Sequence, residues 1–264
     1  AMSTPDSEEI VMTAAALDRA PVAVAPPTVR RASPARLTGL EIRKSLSTRS
    51  GRTLAGVAGL LPAAGAGLIF ALGEQPPNAA MLLAVLGSLV GMLLLAVGVL
   101  STAGEWTHGT VQTTFLTVPR RSRVLAAKYA GMALLGGTLA AVVVGSVYAV
   151  AALGSDPGFS WQGAVPAALA TVATGAVLTV IGAGIGAAVA NAPAALTGTY
   201  LTLLVGMTIL NGAKPDWGRN VDPLGATFNL IGQDGGTRSA AVLAGWLVVT
   251  TVAGAVVTRR RAIS

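Results

Sequence analysis

Six apolar stretches dominate the chain, at residues 53–73, 79–101, 129–153, 164–190, 193–213 and 239–258, and none contains Asp, Glu, Lys, Arg or His. Each reaches the length of about 20 residues that a helix needs to cross a bilayer. Composition rules out six buried helices of a soluble domain. Hydrophobic residues make up 53% of the chain and charged residues 11%, whereas a soluble domain carries about 25% charged side chains. Too few polar groups remain to clothe such a core. The same apolar excess excludes disorder over the whole length. Membrane β-strands alternate in polarity, and these stretches do not. Helices also satisfy every backbone polar group within lipid, so the sequence predicts an all-α membrane protein, a bundle of six transmembrane helices. The least marked boundary is the one at Asn191 and Ala192, between the fourth and fifth stretches.

Charge placement gives the orientation. Arg19, Arg30, Arg31, Arg36, Arg43, Lys44, Arg49 and Arg52 precede the first stretch; Arg120, Arg121, Arg123 and Lys128 follow the second; Arg259, Arg260 and Arg261 follow the last. Only Lys214, Arg219 and Arg238 fall in the opposite set of loops, so 15 of the 18 cations lie on one side. The positive-inside rule makes that side, with both termini, cytoplasmic. The net charge of +7 therefore records orientation in a bilayer and calls for no nucleic acid. The first 50 residues lack an apolar signal-peptide core, so the first span is expected to target the chain.

Residues 1–37, rich in Ala and Pro, read as a cytoplasmic tail. Residues 38–52 read as a juxtamembrane interface helix opened by a capping box, Thr38 at the N-cap and Glu41 three residues on. Ile42 and Leu46 would share a face, and Arg43, Lys44, Arg49 and Arg52 would meet anionic headgroups. A plain basic linker is the alternative. The transmembrane domain covers 53–258, with an inner segment at 105–128 and an outer loop at 214–238, and a basic terminus follows at 259–264.

Several chemistries are excluded. Cysteine is absent and His108 is the sole histidine, so neither thiolate chemistry nor a multi-His metal site exists within the chain. The three lysines, Lys44, Lys128 and Lys214, follow Arg, Ala and Ala. The Gly-Lys pair of a P-loop is missing, and the chain has no nucleotide site of that kind. Ion-coupled transport usually relies on ionisable residues inside the spans, which argues against it here, although broken helices can bind ions through carbonyls.

The inner segment 105–128 is too polar to span and too long for an inert turn. Thr110 can cap a short helix that Pro119 ends, with Val111, Phe115 and Val118 on one face. It suits docking to a partner protein, or a connector held at the membrane surface by its arginines. In the outer loop, Asp222 at the N-cap, Pro223 at N1 and Gly232 past the end mark a short helix. Its Leu224, Phe228 and Ile231 fall on one face, either dipping toward the outer leaflet or lying in solvent. Gly87 and Gly91, and Gly182, Gly184 and Gly186, permit close helix approach, within one bundle or at a dimer seam. Ser88, Met92, Thr199, Tyr200, Thr202, Met207 and Asn211 are candidates to face a transport cavity.

The pattern Glu105, Gly109-Thr110, Leu116, Pro119, Arg123, Leu125 and Lys128 resembles the signature after the second span of ABC-2 type permeases, the membrane subunits of bacterial ABC exporters. The basic helix before span one, six spans with both ends inside, a long outer loop and a final span ending in Arg259-Arg260-Arg261 agree with it. The resemblance covers residues 38–264. It implies a coupling helix, Gly109 to Leu116, that docks a cytosolic ATPase, with Glu105, Val111, Phe115, Pro119, Arg120, Arg123 and Lys128 in the docking region. It further implies ATP and Mg on that separate subunit, no cofactor in this chain, and a second copy or a related permease as partner. The setting would be the bacterial inner membrane and its lipids, and the cargo hydrophobic or amphipathic: a drug, a lipid-like molecule or a peptide. An ATP-independent transporter or channel, or a membrane anchor or regulatory subunit, are the competing readings.

Overall fold

The computed structural model describes residues 33–107 and 121–261. Among them no strand occurs, and six helices are long and apolar enough to cross a membrane. A short helix α1 (Pro34–Ser47) precedes span 1, α2 (Arg49–Ala71). Span 2 is α3 (Ala79–Thr107), span 3 is α4 (Arg121–Gly154) and span 4 is α5 (Ala164–Val189). Span 5 is composite: α6 (Ala192–Tyr200), a π-helical turn (Leu201–Gly206) and α7 (Met207–Ala213). Two short helices, α8 (Pro215–Val221) and α9 (Pro223–Ile231), lead to span 6, α10 (Gly236–Arg260).

Span 4 is the hub, packed against spans 2, 3 and 6, with span 1 lying on spans 2 and 3. Glycine makes this closeness work. A Cβ at Gly182 would collide with the Leu95 carbonyl, one at Gly98 with the Thr179 carbonyl, and one at Gly186 would sit 2.7 Å from the Val99 oxygen. Gly184 bears in the same way on the backbone of Thr250 in span 6. In lipid, where apolar burial between helices gains little, such backbone approach and the dispersion it allows hold helices together. The small residues of spans 2 and 4 thus serve packing inside this bundle. Gly87 seats Ile231 of α9, and Gly91 meets Leu178.

The break between spans 4 and 5 falls where the sequence placed it. Ala190 turns left-handed at φ 55, and the Asn191 side chain accepts from the Ala194 N–H, with Pro193 in the first turn. Ala192 N–H also donates to Thr107 Oγ1 at 3.1 Å, which ties this joint to the end of span 2.

The start of α1 differs from expectation. Ser33 is the N-cap, accepting from Arg36 N–H, and Pro34 occupies the first turn. Thr38 therefore lies inside the helix and the Thr38–Glu41 capping box does not form. A serine followed by proline at N1 is itself a helix start, and it lies five residues upstream. The helix also stops at Ser47, because extended Thr48 caps span 1 by accepting from Gly51 N–H. Ile42 and Leu46 pack with Met132 and Leu135 of span 3, so the apolar face of α1 is covered by the bundle rather than turned to lipid.

At the opposite end, Asp222 caps α9 by accepting from Leu224 N–H, and Gly232 ends it. Leu224, Phe228 and Ile231 join the apolar clusters of the bundle, so α9 is packed and not a solvent-exposed loop helix. Phe70, Phe159, Trp161 and Tyr148 form a chain of edge-on ring contacts, and the Tyr148 hydroxyl donates to the Ala164 carbonyl at 2.7 Å.

Candidate functional site

Two features stand out: a buried ion cluster at the α1 end of the bundle and an apolar cavity beside span 5. The cluster joins three elements. Lys128, at the start of span 3, has a side chain only 4% exposed. Its ammonium lies 2.5 Å from Glu41 Oε2 of α1 and 3.1 Å from Glu105 Oε1 at the end of span 2. Lys44 reaches both carboxylates from the solvent side, 3.0 Å from Glu41 and 3.4 Å from Glu105. Two acids and two bases balance, so the desolvation of each charge, several kcal/mol for an isolated ion, is offset by its neighbours.

Backbone and hydroxyl groups complete the shell. Lys128 also donates to the Ser101 carbonyl at 3.4 Å. Ser45 Oγ donates to the Glu41 carbonyl and lies 2.9 Å from Ser101 Oγ. Burial pushes the Glu41 carboxyl up, but the ammoniums of Lys128 and Lys44 outweigh it and hold the carboxyl below its ordinary value. Burial pulls Lys44 down, and the carboxylates of Glu105 and Glu41 overcome that, leaving it raised. Both shifts favour the charged forms. The arrangement clamps α1 to the facing ends of spans 2 and 3; among the described residues no group of three His, Cys, Asp or Glu is placed to hold a metal.

A second tie closes the same end. Arg261, just past span 6, donates to the carbonyls of Ala188 and Val189 at 3.3 Å each and lies 5.3 Å from the centre of the Trp106 ring. Trp106 is thus held by a guanidinium. The ends of spans 2, 3, 4 and 6 and α1 are all cross-linked here.

Of the residues assigned to docking, Glu105 and Lys128 form the base of the cluster. Gly109, Thr110, Val111, Phe115, Leu116, Pro119 and Arg120 lie outside the described residues, as does the Arg123 side chain. Glu41 and Lys44 are the members that sequence reasoning did not assign to this site. One signal existed: Glu41 and Glu105 are the two acids nearest this end of the spans, amid an excess of cations.

The second feature is a half-open cavity of about 300 Å³ between spans 2, 4, 5 and 6, walled by Leu95, Ile181, Ile185 and Leu203, with Trp246 and Pro223 at one end. Thr199 and Thr202 line it. The other five cavity candidates lie elsewhere. The Tyr200 hydroxyl donates to the Met92 carbonyl at 2.8 Å and pins span 5 to span 2. Asn211 donates to Asp222 Oδ2 at 3.0 Å and braces the start of α9. Met207 is buried in the core beside Leu203, and Ser88 donates to the Ala84 carbonyl at 2.5 Å. Positions 199 and 202 are one turn apart and share a face, whereas 200, 207 and 211 follow another.

The chain matches no protein-family model and no curated protein. Its described residues form an all-helical bundle with six helices long and apolar enough to cross a membrane, clamped at one end by a buried ion cluster and hollowed beside span 5.

Proposed function

We propose that the chain is the permease subunit of an ABC-2 type exporter in a bacterial inner membrane, with α1, the 105–128 segment and the C-terminus in the cytoplasm. Two copies, or this chain and a related one, surround the transport path. ATP and Mg bind a separate cytosolic ATPase, which seats on residues 109–116. The cargo is hydrophobic or amphipathic, in keeping with spans that carry no fixed charge at their centres.

The observation that carries this reading is the mounting of the segment. Glu105 and Lys128, the first and last residues of the signature, meet at 3.1 Å across its base, and Glu41 completes the clamp. A docking element transmits motion only if its root is stiff. Displacement of residues 109–116 by an ATPase then reaches spans 2 and 3 together, and α1 with them. Span 2 passes it to span 4 through glycine-mediated backbone contact.

The test is purification of the tagged chain from its native membranes. The expected result is a complex with a P-loop ATPase whose Mg-dependent hydrolysis responds to transported cargo. Phe115→Ala should uncouple hydrolysis from transport while leaving the chain folded. Transport by the purified chain alone, without nucleotide, would defeat the proposal.

A further inference from the structure

The cavity beside span 5 carries an inference of its own. Its walls are aliphatic apart from Trp246 and two threonines, and no charged side chain lines it. Threonines inside a helix ordinarily satisfy their hydroxyl on the carbonyl one turn back. Thr171, Thr179, Thr227 and Thr250 do so at 2.6–2.8 Å. The side-chain hydroxyls of Thr199 and Thr202, the two threonines that line the cavity, bond to no described residue; Thr199 is 8% exposed and Thr202 is exposed.

Two further observations fall at the same place. The α-helix of span 5 gives way to a π-helical turn at Leu201, directly between the two threonines. Such turns insert a residue, rotate the face that follows and recur at functional sites. The Trp246 indole N–H is already engaged by the Val221 carbonyl at 2.7 Å, so its ring closes one end of the cavity as an apolar wall.

We propose that this cavity binds a neutral amphiphile: an aliphatic body among Leu95, Ile181, Ile185 and Leu203, and one hydroxyl or carbonyl group bonded to Thr199 and Thr202. The volume of about 300 Å³ lies at the small end of ligand sites, which run about 300–1,000 Å³. Charge is excluded because nothing there neutralises it. A purely apolar occupant leaves both hydroxyls unsatisfied, at the cost of a lost hydrogen bond for each. Lipid tails compete equally for aliphatic walls, so selectivity over bulk lipid comes from the two hydroxyls and the fit. The inference deepens the exporter reading by naming a substrate class, but the site needs no ATPase to be occupied.

The experiment uses the full chain in lipid nanodiscs without ATPase. The probes are a twelve-carbon alcohol carrying a mid-chain diazirine and the matching diazirine alkane, and crosslinked peptides are mapped by mass spectrometry. The alcohol should label residues 194–203 in preference to the lipid-exposed Leu60 and Leu61 of span 1, and unlabelled dodecanol should compete. A Cβ at Gly198 meets nothing within 4 Å, so Gly198→Leu fills the cavity without backbone conflict and should abolish this labelling. The isosteric pair Thr199→Val and Thr202→Val should weaken competition by dodecanol about three- to tenfold, the value of one or two modest hydrogen bonds, and leave alkane labelling unchanged. Labelling spread evenly over all spans, or alcohol and alkane weakened alike by the valine pair, would overturn the proposal and show ordinary lipid tails in the cavity. Specific labelling by a chain that binds no ATPase would keep the site and remove the exporter reading.

Discussion

Replacing Lys128 with methionine removes the centre of the ion cluster while keeping its length and apolar stem. Its ammonium contacts Glu41 and Glu105, and the Lys128 and Glu41 side chains are 4% and 6% exposed. Deleting one partner of such a buried pair costs about 3–5 kcal/mol, because the other charge is left without compensation. Lys44 still lies 3.0 Å from Glu41 and is half exposed, so it takes up part of the loss. The expected cost is about 3 kcal/mol, at the bottom of that range. For a chain of this size, roughly 2–4 °C of melting temperature is lost per kcal/mol, which gives a fall of roughly 6–12 °C. A thermal scan in detergent, followed by tryptophan fluorescence, reads it. The double variant Glu41→Gln and Lys128→Met leaves Lys44 paired with Glu105 and should recover much of the loss, with a coupling energy above about 1 kcal/mol. A Lys128→Met variant that melts within 2 °C of the parent, or strict additivity in the double variant, would refute the clamp.

Other outcomes follow from the same geometry. The Glu41 carboxyl is depressed below its ordinary value of 4.5 on folding, so its contribution is full above that value and disappears as pH falls through the depressed one. Lys44 is raised above 10.5, so its share is full below that value and is lost as pH rises past the raised one. The melting difference between the parent and Glu41→Gln should therefore hold steady from pH 6 to 9 and shrink as pH falls below 4.5; a gap that does not narrow on acidification would contradict it. Gly182→Ala drives a methyl into the Leu95 carbonyl and should destabilise by at least the roughly 1–3 kcal/mol of an overpacked core. Gly104→Ala meets nothing within 4 Å and should be neutral or stabilising by up to about 1 kcal/mol, as compared by thermal scans of the two.

The spans were legible because length and apolar character suffice to mark a bilayer-crossing helix, and the break at Asn191 because asparagine caps and Pro193 starts. The same logic read α9 from Asp222, Pro223 and Gly232. It misplaced α1 because two start signals lie five residues apart, and Ser33-Pro34 prevails over Thr38 and Glu41. Glu41 then became free to turn inward, toward a lysine 87 positions away. No local pattern reports such a contact. The π-helical turn is illegible for a different reason: Leu201–Gly206 carries no residue that forbids an α-helix, and tertiary packing decides. Of the cavity candidates, Thr199 and Thr202 share a face by spacing alone, but which face looks into a cavity depends on spans 2, 4 and 6.

The chain has no native cysteine, so one introduced thiol reports without background. With Gln112→Cys in the proposed docking segment, a membrane-impermeant maleimide should label inside-out vesicles and spare right-side-out ones. Labelling should slow when the associated ATPase is present and recover when it is stripped away. Labelling from the outside, or a rate indifferent to the ATPase, would contradict the account at its centre.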